Sequence, residues 1–440
     1  MRVAFYGDDF TGSVDVLLQF ARRGHRARLF VGRPTREALA EAARNNDAVG
    51  VAGIARSLTT TEIADEVGPT LDLLLTLAPH VLQYKACSTA DSSPEIGSIG
   101  RVLEIARDKV PGPAPILFAQ PDFGRYTAFG HHFAAERGTV YRLDRQPTMS
   151  QHPSTPMRES DLAEHLRGQT DLAIDSIPFT AYAGPAEERR RAASAEKVAD
   201  EDPQSRPLSA AAASLAQHLR STDAAGVVLD ALDDDHLRVI GEAVTSLERT
   251  VFAIGSGGLS HAIALAHPRT ADPIPARGRE TGPVLAVSGS RSAQTRRQAD
   301  AARAAGWLVR PLSLQPDASF DDVLEALGSG RSVVLTSDDA DASLIPAEQL
   351  LQTISAACVR AVDAALRAGA TRRVIVCGGD TSSRVATQLG VASLSIAANP
   401  WDNVVLLTAH AADPAIDGAE LLLKGGQVGD DDLFEAVREN

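Results

Sequence analysis

The stretch VAFYGDDFTGSVDVLLQFARRG, residues 3–24, has the pattern of a buried strand that turns directly into a helix. The strand is predicted to end at Gly7, and Gly24 is predicted to end the helix. Two adjacent carboxylates, Asp8 and Asp9, stand between the two elements. One aspartate is sufficient to cap a helix, and we expect Asp8 to do so. Asp9 is then available for a chemical role.

The alternation of strand and helix continues along the chain. Further apolar runs predict strands: AVGVAG, HVLQYKAC, PILFAQP, GVVLDAL and TVFAIGS. Helical patterns such as HLRVIGEAVTSLE separate most of them. A stretch rich in Pro, Arg and Gly at 266–282 lacks periodicity and is interpreted as a linker, after which the alternation restarts. We therefore predict two α/β domains with mostly parallel sheets, at 1–265 and 283–440. The polar segment 185–219 is predicted to be solvent-facing helix and loop within the first domain.

Composition excludes several classes of protein. The chain has 440 residues and a formal net charge of −14, which argues against a nucleic-acid-binding surface. No apolar run approaches the length of about 18 residues that a membrane helix needs. The first acidic residues come too early for a secretory signal. The three cysteines lie far apart, which argues against a disulfide framework and a structural zinc site. Cytoplasm is the expected location.

Three places in the chain repeat an apolar strand, a small polar turn and a helix: VFAIGSGGLSHAIALA, VLAVSGSRSAQTRRQ and VIVCGGDTSSRVATQLG. At such turns the N–H groups of the helix start can face a phosphate, and glycines allow its close approach. None of the three matches the common nucleotide fingerprints. Each alone is also compatible with an ordinary turn, but the repetition favours phosphate or nucleotide binding.

Charged and polar residues follow other strands of the first domain. Arg56 comes after AVGVAG, and Lys85 opens the segment KACSTADS. Open α/β sheets bind ligands at the carboxyl ends of their strands, where Asp8 and Asp9 also lie. Arg56 and Lys85 can neutralise the carboxylate of an acidic substrate, while an aspartate engages a hydroxyl group. Taken singly, these residues would be surface charges or caps.

The histidines and Cys87 receive less reactive interpretations. His131, His132 and His152 fit no metal-binding spacing, and we predict no metal site formed by the protein itself. Cys87 is interpreted as a small buried thiol at a strand end rather than as a nucleophile. The run 233–235 is predicted to form a helix cap and an acidic first turn.

The ordered set of motifs resembles the four-carbon acid sugar kinase family over nearly the whole chain. The motifs are GDDFTGSVD, KACSTADS followed by IGSIG, HPSTPM, GSGGLS, SGSRSAQTRRQ, CGGDTSSRVATQLG and LKGGQVG. The resemblance implies an N-terminal acid-sugar-binding domain, a C-terminal ATP-binding domain and an active site between them. It also implies phosphorylation of a terminal hydroxyl of threonate, erythronate or a 3-oxo-tetronate by ATP, with Mg²⁺ arriving on the nucleotide.

The resemblance also implies roles for individual residues. The acid sugar would contact Asp9, Arg56, Lys85, Ala86, Cys87 and Ser88. ATP would contact Ser288, Ser290, Gly378, Gly379, Asp380, Thr381, Gly425 and Gly426, and Ser256 is a further candidate. Asp9, or else Asp8, would accept the proton of the hydroxyl that attacks the γ-phosphate.

The identity of the acid sugar and one other function class stay open. STADSSPEIGSIG lacks the Gly-Asn-Ile-Gly of 3-oxo-tetronate kinases, so branched four-carbon oxo acids are also candidate substrates. A phosphosugar isomerase, or a regulator that binds a phosphosugar, would suit the turns GSGGLS and SGSRS without any nucleotide. A homo-oligomer is compatible with the sequence.

Overall fold

The computed structural model of this chain describes residues 3–182, 208–272, 274–338, 340, 341, 343, 345–401 and 404–440. Contacts divide the chain into two compact units: unit 1 is Met1–Ala27 with Arg33–Pro273, and unit 2 is Arg28–Gly32 with Ile274–Asn440. Of the polar segment predicted at 185–219, residues 185–207 lie outside the described residues, and most of the remainder is helical. None of the helices in the described parts of the chain has the length and hydrophobicity that crossing a bilayer requires.

The strands and helices are as follows, in chain order within each class. The strands are β1 (Val3–Gly7), β2 (Ala27–Phe30), β3 (Ala48–Ala52), β4 (Val81–Lys85), β5 (Ala114–Leu117), β6 (Arg125–Ala128), β7 (His131–Glu136), β8 (Thr139–Arg142), β9 (Ile174–Ile177), β10 (Gly226–Leu229), β11 (Val251–Gly255), β12 (Val284–Ser288), β13 (Leu308–Pro311), β14 (Val333–Thr336), β15 (Arg373–Cys377), β16 (Val391–Trp401), β17 (Val404–Ala411) and β18 (Glu420–Lys424). The α-helices are α1 (Phe10–Arg22), α2 (Arg36–Asn45), α3 (Thr60–Leu75), α4 (Ile99–Arg107), α5 (Leu162–Arg167), α6 (Ala210–Ser221), α7 (Asp234–Thr245), α8 (Gly257–Leu265), α9 (Ala293–Ala304), α10 (Asp321–Gly328), α11 (Ala347–Arg367), α12 (Gly379–Gln388) and α13 (Leu433–Glu439).

Unit 1 is built on a parallel sheet with the strand order β3-β1-β4-β11-β5-β10-β9. Helices connect its strands, as parallel pairing requires. The strands β1 and β4 are buried along their whole length; β1 is apolar throughout, whereas β4 also buries the polar side chains of Gln83 and Lys85. The prediction of a mostly parallel α/β fold is confirmed.

Unit 2 has the strand order β13-β14-β12-β15-β18-β17-β16. Pairing is parallel from β13 to β18, and β17 and β16 then continue the sheet antiparallel. A segment from early in the chain also belongs here, because Leu29 and Phe30 of β2 pair with Leu394 and Ser393 of β16. The core of this unit includes Trp307 packed near Phe434.

The structure contains antiparallel elements that the sequence analysis did not identify. The strands β6, β7 and β8 form a separate three-stranded sheet in unit 1. These strands are short, polar and only partly buried, so they lack the apolar runs by which the other strands are recognised. The motif FGHHF supplies the turn at Phe129–Gly130 and the start of β7.

Candidate functional site

The first cluster of site residues follows three neighbouring strands of unit 1. Gly7 at the end of β1 pairs with Lys85 of β4, which in turn pairs with Gly255 of β11. The N–H of Asp8 donates to the Lys85 carbonyl at 2.9 Å, and the N–H of Ala86 donates to the Gly255 carbonyl at 2.9 Å. The polar segments after these strands therefore start side by side at one edge of the sheet, where parallel sheets bind ligands.

Arg56 joins the two aspartates of the opening motif. Its guanidinium donates to both carboxylate oxygens of Asp8, Nε to Oδ2 at 3.1 Å and Nη2 to Oδ1 at 2.7 Å. Nη1 donates to Asp9 Oδ2 at 2.6 Å. Because a guanidinium has five N–H donors, two remain for a ligand. Burial raises the pKa of Asp8, and the charge of Arg56 opposes that rise.

The expectation that Asp8 caps helix α1 is wrong, because Asp9 is the cap. Asp9 has an extended backbone, and its Oδ1 accepts a hydrogen bond from the Gly12 N–H at 2.7 Å. Asp8 comes one residue before the N-cap position, and both of its oxygens accept hydrogen bonds from Arg56. The Asp8 side chain is 3% exposed, whereas that of Asp9 is 31% exposed. Asp9 is thus the more accessible carboxylate of the two.

Gly12 marks the point at which three charged groups converge. A Cβ atom there would lie 2.6 Å from Asp9 Oδ1, 3.1 Å from Lys85 Nζ and 3.5 Å from Arg56 Nη2. The buried Lys85 donates to the Ala86 carbonyl at 2.9 Å, and its Nζ lies 3.8 Å from Asp15 Oδ2. Any side chain in place of Gly12 would displace the charges around it. Two cations and two carboxylates are thus grouped at the start of one helix.

The loop after Lys85 is held by the small antiparallel sheet. The Ser88 carbonyl accepts a hydrogen bond from His132 Nε2 at 2.8 Å, and His132 Nδ1 contacts Thr127 Oγ1 at 2.9 Å. The carbonyl can only accept, so Nε2 carries the proton and Nδ1 accepts from the threonine. Burial lowers the pKa of His132 to about 4, which keeps the ring neutral near pH 7. His132 could not be assigned to the site from the sequence, because only the fold brings it to Ser88.

Cys87, in the same loop, behaves as an unreactive thiol. Its Sγ lies 3.0 Å from Thr89 Oγ1, and burial raises the pKa of the thiol. A raised pKa disfavours the thiolate that a nucleophilic cysteine needs. The geometry supports the interpretation of Cys87 as a structural residue of the loop.

The HPSTPM and GSGGLS motifs have structural explanations in unit 1. Thr155 Oγ1 of the first motif donates to Asp91 Oδ1, in the loop after Lys85, at 3.4 Å, and the Thr155 N–H donates to His152 Nδ1 at 3.1 Å. In the second motif, Ser256 is fully buried and caps α8 by accepting from the Gly258 N–H at 3.0 Å. A Cβ on Gly257 would lie 2.1 Å from Asp15 Oδ2, so close packing against α1 requires this glycine.

The predicted cap at Asp233 is confirmed, with its Oδ1 accepting from the His236 N–H at 3.0 Å.

The second cluster lies at the carboxyl ends of three neighbouring strands of unit 2. Ser288 of β12 pairs with Cys377 of β15, which pairs with Lys424 of β18. The Gly378 N–H donates to the Lys424 carbonyl at 2.8 Å. The ends of these strands, the turns after them and the start of α12 contain all the residues predicted to contact ATP except Ser256: Ser288, Ser290, Gly378, Gly379, Asp380, Thr381, Gly425 and Gly426. The fold therefore brings this set together at one edge of the sheet.

Glycines keep this edge open and its backbone exposed to a ligand. Gly378 has a φ of +114°, a conformation that side chains disfavour. A Cβ on Gly426 would lie 2.2 Å from Ser290 Oγ, so any side chain there would displace Ser290 or the turn. Helix α12 starts at Gly379 with no side chain capping it, and nothing in the described residues lies within 4 Å of a Cβ built there. Its first N–H groups form an arrangement that binds phosphate.

Helix α9 holds the Gly425–Gly426 loop in place. Ser292 Oγ and Thr295 Oγ1 both donate to the Gly426 carbonyl, the latter at 2.8 Å. Gln298 Nε2 donates to the Val428 carbonyl at 3.0 Å. These residues belong to the motif SGSRSAQTRRQ, so this part of the motif builds the loop.

In the described part of the chain, no group of three or more His, Cys, Asp or Glu side chains is arranged to hold a metal ion.

Two family models match the two halves of the chain. One, described as a sugar-binding N-terminal domain, matches residues 3–263, and the other, a nucleotide-binding C-terminal domain, matches residues 285–434. The first contains the Arg56 cluster and the second contains the glycine-rich turns of unit 2. The domain limits predicted from the sequence stay a prediction.

Curated relatives extend over almost the full length of this chain. A 3-oxo-isoapionate kinase of Paraburkholderia graminis is 35% identical, covering 99% of this chain and 94% of the relative. A 3-oxo-tetronate kinase of Cupriavidus necator is 29% identical, covering 98% and 95%. A D-threonate kinase of Bordetella bronchiseptica is 26% identical, covering 99% and 98%. All three are kinases named for acid substrates.

Solved structures share the fold at low sequence identity. The Haemophilus influenzae protein HI1011 has a TM-score of 0.72 at 21% identity, with 99% of each chain covered. A Salmonella typhimurium protein titled a putative tRNA synthase has a TM-score of 0.73 at 23% identity, covering 100% of this chain and 99% of that one. At these identities the likeness describes the fold alone.

Proposed function

Because this chain belongs to the four-carbon acid sugar kinase family, it is an acid sugar kinase, and we propose that it phosphorylates the terminal hydroxyl of a four-carbon or branched hydroxy- or 3-oxo-acid. The observation that carries the proposal is the convergence of Arg56, Lys85 and Asp9 around Gly12. A phosphosugar isomerase or a phosphosugar-binding regulator is not favoured, since the relatives are kinases and residues 285–434 match a nucleotide-binding domain.

The acid sugars named for the relatives define the substrates to test. They are 3-oxo-isoapionate, 3-oxo-tetronate and D-threonate. The 3-oxo-isoapionate kinase has the highest identity of these three relatives, so 3-oxo-isoapionate is the first substrate that we would test. Because the reaction consumes ATP, we place it in the cytoplasm.

In the proposed substrate site, cations hold the carboxylate of the acid. Arg56 retains two N–H donors beyond those bound to Asp8 and Asp9, and Lys85 lies beside it at Gly12. Charge-assisted hydrogen bonds of this kind orient a carboxylate as well as bind it. The loop 86–88, held by His132, would complete the contacts with the acid sugar.

We assign the role of general base to Asp9. It is the more exposed of the two aspartates, whereas Asp8 is held by Arg56 through both oxygens. Asp9 Oδ1 is fixed by the Gly12 N–H and Oδ2 by Arg56, so the carboxylate is oriented before substrate arrives. In phosphoryl transfer such positioning, together with charge neutralisation, supplies most of the catalysis.

The nucleotide would bind at the glycine-rich edge of unit 2. The uncapped start of α12 at Gly379–Thr381 would receive phosphate oxygens, and Ser290 and the Gly425–Gly426 turn would line the same site. Mg²⁺ would be held mainly by the phosphates, because Mg²⁺ commonly takes substrate phosphates with few protein carboxylates. Asp380 in the first turn of α12 is the carboxylate nearest in sequence to this site. Bound in this way, Mg²⁺ would neutralise part of the charge on the phosphates.

The variant D9N tests the assignment of the base. Asparagine is an equally good helix cap, so the fold and ADP binding should be retained. Loss of a general base should lower kcat by about a hundredfold or more. The measurements are kcat with saturating acid sugar, ADP affinity by calorimetry and circular dichroism. D233N alters another capping aspartate and should be fully active. A near-normal kcat for D9N would exclude Asp9 as the base.

A further inference from the structure

Three lysine or arginine side chains are buried in the described part of the chain, and two of them have a carboxylate partner. Arg373 is paired with the equally buried Glu420, with Nη2 2.7 Å from Oε2. Lys85 lies 3.8 Å from Asp15. The third buried cation is Lys424, at the end of β18.

Lys424 is without a carboxylate partner. It is 3% exposed, and no carboxylate of the described residues lies within 4 Å of its Nζ. Its partners are neutral: Thr295 Oγ1 at 3.4 Å and the thiol of Cys377. Burial of an unpaired charge is costly, and accordingly burial lowers the pKa of Lys424. A buried ionisable group of this kind is a candidate for a functional role.

The position of Lys424 places its charge beside the glycine-rich loop of unit 2. Its carbonyl accepts from the Gly378 N–H at 2.8 Å, and the next two residues are Gly425 and Gly426. Thr295 Oγ1, the acceptor for Lys424 Nζ, itself donates to the Gly426 carbonyl at 2.8 Å. The ammonium group is therefore separated from the glycine-rich loop by a single hydroxyl.

We propose that Lys424 is a positioning residue for nucleotide binding, and that the phosphates of the bound nucleotide supply its missing counter-charge. It acts from behind the loop, through Thr295 and Gly426, without touching the nucleotide. The positive charge then favours phosphate at the start of α12, while the hydrogen bonds hold the Gly426 carbonyl in place. This inference rests on the proposed function, since it requires that unit 2 bind a nucleotide.

The variants K424M and K424R, with K109M as a control, test the inference. Methionine keeps an unbranched apolar side chain but removes the charge. The control residue, Lys109, is a partly exposed lysine of unit 1 that is paired with Asp72. Calorimetry with ADP and with adenosine separates the phosphate contribution from that of the nucleoside. We expect K424M to bind ADP at least tenfold more weakly, with adenosine affinity unchanged. We expect K424R to recover part of the loss and K109M to match native protein.

Thermal unfolding without nucleotide supplies a second readout. Removal of an unpaired buried charge should leave K424M at least as stable as native protein. A purely structural lysine would behave differently: K424M would be less stable and would lose affinity for ADP and adenosine alike, which would overturn the inference. If K424M does not fold, T295V keeps the lysine but cuts its link to Gly426, and native ADP affinity in T295V would overturn the inference.

Failure of the inference and failure of the proposed function give different results. If native protein binds ADP more tightly than adenosine and K424M binds both as native protein does, only the role of Lys424 is wrong. If native protein binds ADP no better than adenosine, unit 2 has no phosphate site, and both the proposed function and the role of Lys424 are overturned.

Discussion

Asp8 and Asp9 are neighbours in the chain, yet their carboxylates have different partners. Asp8 is buried against Arg56, while Asp9 caps α1 and remains partly exposed. The sequence indicates that one of the pair is a cap but not which one, because both precede the helix. The distinction arises from Arg56, which reaches Asp8 with two nitrogens and Asp9 with one. Local spacing cannot predict a contact made by a residue 48 positions away.

His132 is predicted to affect acid-sugar binding without touching the nucleotide. It donates to the Ser88 carbonyl, so H132A should loosen the loop after Lys85. We expect H132A to raise the KM for the acid sugar about tenfold, by the loss of a buried hydrogen bond, and to leave the KM for ATP unchanged. H132Q, which can still donate to Ser88, should recover most of the loss. Equal changes in both KM values would refute this positioning role.

The same histidine predicts a dependence of stability on pH. Its pKa in the folded protein is about 4, below the usual 6.5, so the unfolded chain binds the proton more readily. The stability that neutral His132 contributes is therefore complete above pH 6.5 and is lost as pH falls towards 4, by about 3 kcal/mol in all. Urea unfolding at pH 7 and 4.5, followed by circular dichroism, should show a smaller change in the unfolding free energy for H132Q than for native protein. An identical change in both proteins would contradict this.

At the scale of elements, the parallel strands are predictable and the antiparallel ones are less so. The strands β1, β11 and β12 are buried throughout and have mainly apolar sequences. The strand β7, HHFAAE, is polar and partly buried, so nothing in its sequence separates it from a loop. The functional turns follow the predictable strands, which is why the sequence locates most of the candidate site. His132 lies on β7 and was missed for the same reason.

Helix α9 and the Gly425–Gly426 turn are predicted to work as one element. A Cβ on Gly426 would lie 2.2 Å from Ser290 Oγ and 3.1 Å from Oγ of Ser292, the N-cap residue of α9, so G426A should displace the turn from these serines. Overpacking of this size should weaken ADP binding about tenfold or more, with the KM for acid sugar unchanged. Calorimetry with ADP measures the effect. G328A serves as the control, because nothing lies within 4 Å of a Cβ at that helical glycine. Native ADP affinity in G426A would contradict the proposed nucleotide site.

On the scale of the whole molecule, the order of the motifs carries most of the functional information. No single motif matches a common nucleotide fingerprint, but together they span both units and agree with two family models, at residues 3–263 and 285–434. The pairing of β2 with β16 could not be predicted, because it joins segments more than 350 residues apart. The role of Lys424 could not be predicted from the sequence either. The sequence shows a lysine before two glycines, but only the structure shows that this lysine is buried.

The central claim is that this chain transfers phosphate from ATP to the terminal hydroxyl of a small acid sugar. The most direct test incubates native protein with ATP, Mg²⁺ and each of 3-oxo-isoapionate, 3-oxo-tetronate and D-threonate, and follows ADP release and the ³¹P NMR spectrum. We predict ADP release that depends on the acid sugar, and a new phosphomonoester signal split into a triplet by the two protons of a terminal CH₂ group. A doublet would place the phosphate on a secondary hydroxyl. No ADP release with any of a panel of four-carbon and branched acid sugars would contradict the account.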